Sequence, residues 1–238
     1  MKLSYLYPFV MLVSLASGAL LSRRYKSQLK LHSTQKLWIG LFAFCGAMIA
    51  AKLPFLIPGL PGFNAESGIL ISGKTILFGL VGGYVGVEFA KWMIGVKTKT
   101  GDSFVVPVAV SIGIGRIACF CGGCCFGTPT SMPWGVRFDH IDQQLRHPTQ
   151  LYEMIFHFTM AAICAVFYER RIFRQQLIKF YFISYFAYRF LTEFIRPEQR
   201  IAMNLTSYQW TTLILIAIFA YLWIRDVGAM KVHELANP

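Results

Sequence analysis

Charged residues are scarce in this 238-residue chain, and acidic residues are scarcer than basic ones. Asp and Glu together number 11, and charged residues make up 14% of a sequence that is 55% hydrophobic. This balance excludes an ordinary water-soluble domain. Glycine-rich nucleotide loops, internal repeats and long polar linkers are also missing, which argues against a nucleotide cofactor and a second domain. We therefore predict a single transmembrane domain over residues 1–238 that needs no cofactor.

Long apolar runs dominate what is present, in keeping with a mean hydropathy of +0.52. A run of about 20 apolar residues can cross about 30 Å of hydrocarbon as a helix. Seven such runs lie near residues 4–22, 37–57, 69–95, 104–121, 150–168, 177–195 and 207–225. Pro107 and several glycines weaken the prediction of a helix for the fourth run. The predicted fold class is an all-α integral membrane protein with about seven transmembrane helices.

The net charge of +12 raises the question of a nucleic-acid partner. The basic residues collect in alternate loops, without the interleaved aromatics of a nucleic-acid-binding patch, so we predict no such partner. They follow the first span (Arg23, Arg24, Lys26, Lys30, Lys36), the third (Lys97, Lys99), the fifth (Arg170, Arg171, Arg174) and the last (Arg225, Lys231). The positive-inside rule then predicts an N-out/C-in chain. Loops 54–68, 122–149 and 196–206 would lie outside, with a small external cap around Pro129 and Pro133.

Two arginines within apolar segments are the strongest functional signal. Arg116 lies in SIGIGRIACF and Arg189 in YFISYFAYRFLTEFIRP. Arginine stays charged and is costly within a bilayer, so the pair predicts an anionic ligand, most simply a phospholipid headgroup. Tyr185, Arg189 and Glu193 are spaced four residues apart, which places them on one helix face. The alternative is that Arg189 and Glu193 only neutralise each other.

A polar motif, HPTQLYE, opens the fifth span between the two arginines. His147 could shuttle a proton, cap the fifth helix or pack against it. Gln150, Tyr152 and Glu153 form a polar cluster, in which Glu153 could pair with an arginine or anchor the preceding loop. Topology predicts that these residues and both arginines converge in the outer half of the membrane.

HPTQLYE and YFAYRFLTEFIRP, in that order after GR and a glycine-rich turn, resemble the prolipoprotein diacylglyceryl transferase family. LVGGYVGV is similar to a further motif of that family and contributes Gly82 and Gly83 to the expected substrate-binding residues. The resemblance implies a seven-span bundle in the bacterial cytoplasmic (inner) membrane, with its site towards the outer leaflet. It also implies transfer of a diacylglyceryl group from phosphatidylglycerol to the lipobox cysteine of a precursor protein, with release of glycerol phosphate.

The resemblance implies roles for the matching residues. Arg116 and Arg189 would clamp the lipid phosphate as catalytic residues, since fixed cations stabilise charge on a departing phosphate. Tyr185 would donate a hydrogen bond to the headgroup, and Glu193 would orient Arg189. Gln150, Tyr152 and Glu153 would also contact substrate, and His147 is a candidate catalytic residue.

The chain departs from the family pattern at its centre. Where the family reads GRxGNFxNGExxG, this sequence reads GRIACFCGGCCFG. Gly127 keeps a family glycine, whereas Cys119 replaces an asparagine, Cys124 replaces a glutamate and Val81 replaces a histidine. Cys119 and Gly127 are expected to bind substrate, and Cys124 is a candidate catalytic residue as a general base or redox group.

Four of the six cysteines fall in this segment: Cys119, Cys121, Cys124 and Cys125. A disulfide between Cys121 and Cys124, structural packing, and metal or thiolate chemistry are competing interpretations. Four cysteines within seven residues would need a very tight loop around zinc, so we predict no metal site.

Three functions remain open from the sequence. The first is the diacylglyceryl transferase acting on lipobox-containing precursors. The second is a related phospholipid-using enzyme with another acceptor. The third is a catalytically silent lipid-binding membrane protein, since the replaced glutamate and histidine could mark a loss of activity.

Overall fold

The computed structural model describes residues 5–27, 29–56 and 75–236. Within these residues the chain forms seven α-helices, with short strands between the later ones. The helices are α1 (Leu6–Ser27), α2 (Ser33–Leu56), α3 (Ile76–Met93), α4 (Asp102–Cys121), α5 (Thr149–Glu169), α6 (Leu177–Thr192) and α7 (Ser207–Ala236). Most of the external loop predicted at 54–68, and the start of the span predicted at 69–95, lie outside the described residues.

Six of the described helices are long and apolar enough to cross a membrane, which supports the predicted all-α membrane fold. The exception is α6, whose 16 residues span about 24 Å at 1.5 Å per residue. A 3₁₀ turn at Glu193–Ile195 continues it to the predicted end of that span. Pro107, which weakened the fourth prediction, lies within α4 without ending it.

Helix α2 packs against α3 through small residues. A Cβ atom added to Gly82 would lie 2.4 Å from the carbonyl oxygen of Gly46, and one added to Gly86 would lie 2.2 Å from that of Phe42. No side chain fits at these separations, so glycine permits the close backbone approach typical of membrane helices. Gly82, predicted to bind substrate, therefore has a packing role at this interface.

The remaining helices form a second packed group, in which α1 contacts α4, α4 contacts α5, and α6 contacts α7. Ser14 donates a hydrogen bond from its Oγ to the carbonyl oxygen of Ser111, 2.7 Å away, which joins α1 to α4. Buried aromatic side chains on α6, including Tyr181 and Phe186, pack against Phe219 of α7. This aromatic core fixes α6, the helix that carries Arg189.

Much of the outer surface of α1 and α2 is apolar. Phe9, Leu12, Leu37 and Ile49 are all exposed. Such a surface is expected where the surrounding solvent is hydrocarbon, whereas in water it would promote aggregation.

Two small β-hairpins lie between the later helices. In the first, β1 (Val136–Arg137) pairs antiparallel with β2 (Leu145–Arg146), within the segment predicted to form a cap. In the second, β3 (Arg200–Ala202) pairs with β4 (Leu205–Thr206) and leads directly into α7. The first hairpin comes after α4, which carries Arg116, and the second comes after α6, which carries Arg189.

Candidate functional site

Glu153 is the centre of a buried ionic network. Its carboxylate is fully buried, with Oε2 2.8 Å from Arg116 Nη2 and 3.0 Å from Arg196 Nη2. Tyr185 donates a hydrogen bond from its hydroxyl to Oε1, 2.8 Å away. The sequence left open whether Glu153 pairs with an arginine, and the structure pairs it with two. It also commits the Tyr185 hydroxyl to Glu153, whereas the resemblance implied a bond to the lipid headgroup.

Arg189 forms a second buried pair beside this network. Its Nη2 lies 2.8 Å from Glu193 Oε2, which confirms the pairing predicted from their spacing. The guanidinium also lies over the ring of Tyr208, 4.7 Å from its centroid. Thr206 donates to the other Glu193 oxygen over 3.1 Å. Glu193 is thus held from two sides, and it fixes the orientation of Arg189.

The three arginines keep unused donor capacity. Arg116, Arg189 and Arg196 are buried, with relative exposures of 7%, 5% and 9%. The Nε atoms of Arg116 and Arg196 have no hydrogen-bond partner within the described part of the chain. Buried donors are normally satisfied, so these two unpaired donors stand out. A ligand with several acceptor oxygens, such as a phosphate, suits them.

A cavity of about 1520 Å³ lies against this network. The larger part of its lining is apolar and comes from α1, α2, α3 and α4. Arg116, Arg189 and Arg196 contribute its most polar region, and Gly83 also lines it. Cavities for small ligands are usually about 300–1,000 Å³, so this one suits a larger amphiphile with an anionic end.

Glu198 follows Arg196 and also lines the cavity. Burial, reinforced by the neighbouring charge of Glu193, raises the pKa of Glu198 above its usual value. A carboxyl group with a raised pKa takes up a proton more readily at neutral pH. Glu198 is therefore a second carboxyl group at this wall, distinct from the paired Glu153 and Glu193.

Three of the four clustered cysteines converge at the same wall. The sulfur atoms of Cys119, Cys124 and Cys125 lie within 4.8 Å of one another, and all three residues line the cavity. Arg116 Nη1 lies 3.8 Å from Cys119 Sγ. Cys121 is outside this group, and the structure keeps it as a free thiol, as it does Cys124. The disulfide considered between Cys121 and Cys124 is thus not formed here.

The loop that carries these cysteines is fastened to the start of α5. Gln150 is fully buried and donates a hydrogen bond from Nε2 to the carbonyl oxygen of Cys124. Thr149 donates from its hydroxyl to the carbonyl oxygen of Cys125 over 2.5 Å. The Gly127 amide donates to the carbonyl oxygen of His147, 2.8 Å away. Gln150 and Gly127, predicted to bind substrate, therefore position the cysteine loop.

His147 and Tyr152 lie away from the cavity wall. His147 Nδ1 is 3.2 Å from the Tyr152 hydroxyl, which also accepts a 2.8 Å hydrogen bond from Trp134 Nε1. Neither residue is part of the cavity lining. The cap residue of α5 is Pro148, and no side chain caps this helix end, so His147 packs on the loop and does not cap α5. These two residues support the cap, and proton shuttling by His147 stays a prediction.

Sequence reasoning missed Arg196, His157 and Glu198 as site residues. His157 is fully buried, with Nε2 3.9 Å from Glu153 Oε1 and Nδ1 2.9 Å from the Tyr181 hydroxyl. Its spacing of four residues from Glu153 could have indicated this contact. Arg196 stands three residues after Glu193, but its partner is on α5, which local spacing cannot reveal.

Six helices long and apolar enough to span a membrane indicate a multi-pass membrane protein, with a large cavity and buried arginines on its wall. A sequence model of one family, described as prolipoprotein diacylglyceryl transferase, matches residues 4–225. The chain therefore belongs to the prolipoprotein diacylglyceryl transferase family, which confirms the resemblance seen in its motifs.

Individual relatives agree with this assignment. The chain is similar to the phosphatidylglycerol–prolipoprotein diacylglyceryl transferase of Clostridium tetani (strain Massachusetts / E88), with 31% identity over 200 residues that cover 77% of this chain and 78% of the relative. The enzyme of the same name from Aromatoleum aromaticum (strain DSM 19018 / LMG 30748 / EbN1) is 27% identical over 231 residues, covering 91% of this chain and 86% of the relative.

Proposed function

We propose that this protein transfers a diacylglyceryl group from phosphatidylglycerol to the lipobox cysteine thiol of a precursor protein, releasing glycerol phosphate. The observation that carries the proposal is the position of three buried arginines on the wall of a cavity of about 1520 Å³. The apolar lining suits acyl chains, and the arginines suit the phosphate that links them to the leaving group.

The proposed chemistry follows from where charge develops. The acceptor sulfur forms a bond to the terminal glyceryl carbon while the bond from that carbon to the phosphate oxygen breaks. Charge then grows on the departing phosphate, and Arg116 and Arg189 stabilise it as fixed cations in a site largely shielded from water. Arg196 lines the same cavity and adds a third cation beside them.

Glu153 acts as a positioning residue in this scheme. Its carboxylate is ion-paired with Arg116 and accepts hydrogen bonds from Arg196 and Tyr185, and it has no exposed surface. A carboxylate held this way is a poor proton acceptor, because protonation would break two buried ion pairs. It instead fixes both arginines in the geometry that receives the phosphate.

The orientation that we propose is N-out/C-in with seven spans, in which α6 and its 3₁₀ turn form the sixth. The basic residues after α1, α3, α5 and within α7 would then face the cytoplasm. Arg116 lies near the end of α4 and Arg189 near the end of α6, which both run outward in this arrangement. The site would thus face the outer leaflet of the bacterial inner membrane, where lipobox-containing precursors emerge.

The test is a reconstituted assay with labelled phosphatidylglycerol and a lipobox peptide, in which lipidated peptide and glycerol phosphate are both measured. We expect both products from the wild-type protein, and loss of both in Arg116→Ala. Arg225→Ala is the matched control, because it removes an arginine that does not line the cavity and is expected to keep full activity.

Other outcomes would contradict the proposal in distinct ways. Glycerol phosphate released without lipidated peptide would indicate a different acceptor. Retained lipid binding without either product would indicate a silent lipid-binding protein. Full activity in Arg116→Ala would refute the role of the arginines.

A further inference from the structure

The cysteine loop after α4 is shaped so that three sulfur atoms meet. The Cys124 amide donates a hydrogen bond to the carbonyl oxygen of Cys119 over 3.1 Å, which turns the chain back on the end of the helix. Gly123 and Cys125 both have positive φ angles, +68° and +61°. A positive φ is uncommon for a residue with a side chain. At Cys125 it accompanies the turn in which the Cys125 sulfur lies within 4.8 Å of those of Cys119 and Cys124.

The spacing of the three sulfurs matches a metal site. Sulfur atoms bound at about 2.3 Å to one tetrahedral Zn²⁺ lie about 3.8 Å apart. The sulfurs of Cys119, Cys124 and Cys125 are already within 4.8 Å of one another, so small rotations would complete the geometry. Cys121, two positions after Cys119, is outside the group. The sequence argued against zinc because four cysteines would need a very tight loop, but the loop from Cys119 to Cys125 already brings three sulfurs together.

Charge also favours a divalent metal at this position. Three thiolates and one Zn²⁺ carry a net charge of −1. Beside them, Arg116, Arg189 and Arg196 are paired with two carboxylates, those of Glu153 and Glu193, which leaves one surplus positive charge, and Arg116 Nη1 lies 3.8 Å from Cys119 Sγ. Thiolates also suit Cu⁺, but Zn²⁺ undergoes no redox change and fits a transfer reaction that moves no electrons to or from a cofactor.

The site opens on the cavity where the lipid is proposed to bind, because Cys119, Cys124 and Cys125 all line it. Catalytic zinc sites characteristically have three protein ligands and an open fourth position, whereas structural sites have four. Meanwhile the family's histidine and glutamate are replaced here by Val81 and Cys124, and Glu153 is committed to two arginines. A group that generates the acceptor thiolate is thus the missing part of the site.

Building on the proposed transferase function, we propose that Cys119, Cys124 and Cys125 bind Zn²⁺ and that its open position takes the acceptor cysteine as a thiolate. A thiol that coordinates zinc loses its proton, which passes to water. The zinc-bound sulfur then forms the bond to the glyceryl carbon, and the carbon–oxygen bond to the phosphate breaks. Zinc keeps its oxidation state throughout, and the thioether product is a weak ligand that leaves.

The first experiment measures metal content in the full-length protein, purified in detergent under reducing conditions and supplied with zinc before removal of excess metal. We expect one equivalent of zinc by mass spectrometry in the wild type and in Cys121→Ser, the matched control. Cys119→Ser, Cys124→Ser and Cys125→Ser should each lose it. Wild-type protein without zinc, copper bound in its place, or equal loss in Cys121→Ser would each overturn the site.

A second measurement avoids the question of whether the variants fold. Wild-type protein treated with 1,10-phenanthroline should lose peptide lipidation and regain it when zinc is added back. Lipidation that survives complete removal of zinc would overturn the catalytic role.

The acceptor position is tested with cobalt in place of zinc. Tetrahedral Co²⁺–thiolate sites absorb visible light, and a fourth thiolate changes that spectrum. A lipobox peptide should change the spectrum, whereas the same peptide with serine in place of cysteine should not. An unchanged spectrum with both peptides would overturn acceptor binding at the metal.

These outcomes separate the zinc inference from the transferase function on which it rests. Zinc bound without any lipidated peptide would leave the metal site standing and reject the transferase. Full lipidation by the zinc-free cysteine variants would reject the zinc inference and leave the transferase standing.

Discussion

Two buried charge clusters occupy the two ends of α6, and their excess cations have different surroundings. The aspartate cluster consists of Lys99, Lys179, Arg225 and Asp226. Asp226 is buried and accepts hydrogen bonds from all three cations, of which Lys179 is 2.6 Å away. The side chains of Lys99 and Arg225 remain 41% and 55% exposed, so water solvates the surplus positive charge.

The arginine cluster consists of Arg116, Arg189, Arg196, Glu153 and Glu193. Water does not solvate its surplus positive charge in the same way. Its three guanidinium side chains are only 9%, 6% and 7% exposed. They line the cavity, whereas the residues of the aspartate cluster do not. Buried ion pairs alone therefore do not indicate a functional site. The informative features are buried surplus charge, free donor atoms and an adjoining cavity.

Glu153→Gln should have the largest effect, because it leaves Arg116 and Arg196 without their shared carboxylate. Removing one partner of a buried ion pair typically costs about 3–5 kcal/mol. We expect a loss of that size in thermal unfolding and a fall in lipidation of about 1,000-fold, since both arginines lose their orientation. Glu169→Gln, at a carboxylate with 68% side-chain exposure, is the control and should change neither. Near-normal unfolding in Glu153→Gln would show that the arginine cluster does not depend on this residue.

Arg189→Lys should affect chemistry more than stability. Lysine keeps the charge beside Glu193 but loses the planar fork that can hold a phosphate through two hydrogen bonds. We expect turnover to fall about 100-fold. The free energy of unfolding should change by less than the roughly 3–5 kcal/mol typical of removing one partner of a buried pair, because lysine keeps the charge. Lys179→Arg is the reciprocal exchange in the aspartate cluster and should leave turnover unchanged. Equal turnover in Arg189→Lys and Lys179→Arg would show that the arginine cluster is no more important to the reaction than the aspartate cluster.

Asp226→Asn should lower stability without lowering turnover. Lys179 has only 3% side-chain exposure and would lose its charged partner, although it keeps a 2.6 Å hydrogen bond to Gln176. That remaining bond and the partial access to water should limit the cost to about 1–3 kcal/mol. Unfolding and lipidation measured on the same sample test this, and a large loss of turnover at normal stability would assign the aspartate cluster to the reaction.

Lys99→Ala should have the smallest effect. Its ammonium group contacts Asp226, but the side chain is 41% exposed and Asp226 keeps two other cations. Exposed ion pairs usually contribute about 0–1 kcal/mol, and salt weakens them. We expect unfolding to shift within that range, and the shift to shrink at high salt. A salt-independent loss above that range would mean that Lys99 is held as tightly as Lys179.

Local patterns in the sequence were sufficient for several parts of the site. The pairing of Arg189 with Glu193 follows from a spacing of four residues on one helix, and the structure confirms it. Arg116 and Arg189 lie within apolar segments and are buried in the structure, whereas the anionic ligand predicted from them stays a prediction. The contacts of Gln150 and His147 were harder to predict, because helix periodicity does not indicate where side chains point at the start of a helix. The first fastens the cysteine loop, and the second packs on Tyr152.

Six helices that are long and apolar enough to span a membrane, and the family, could be predicted from the sequence, because apolar length and short motifs are properties of contiguous residues. Only the tertiary structure decided that Glu153 serves both Arg116 and Arg196, since these residues come from three separate segments. It also decided that three of the four clustered cysteines meet while Cys121 does not. The loop that brings them together has positive φ angles at Gly123 and Cys125, and composition carries no record of backbone direction.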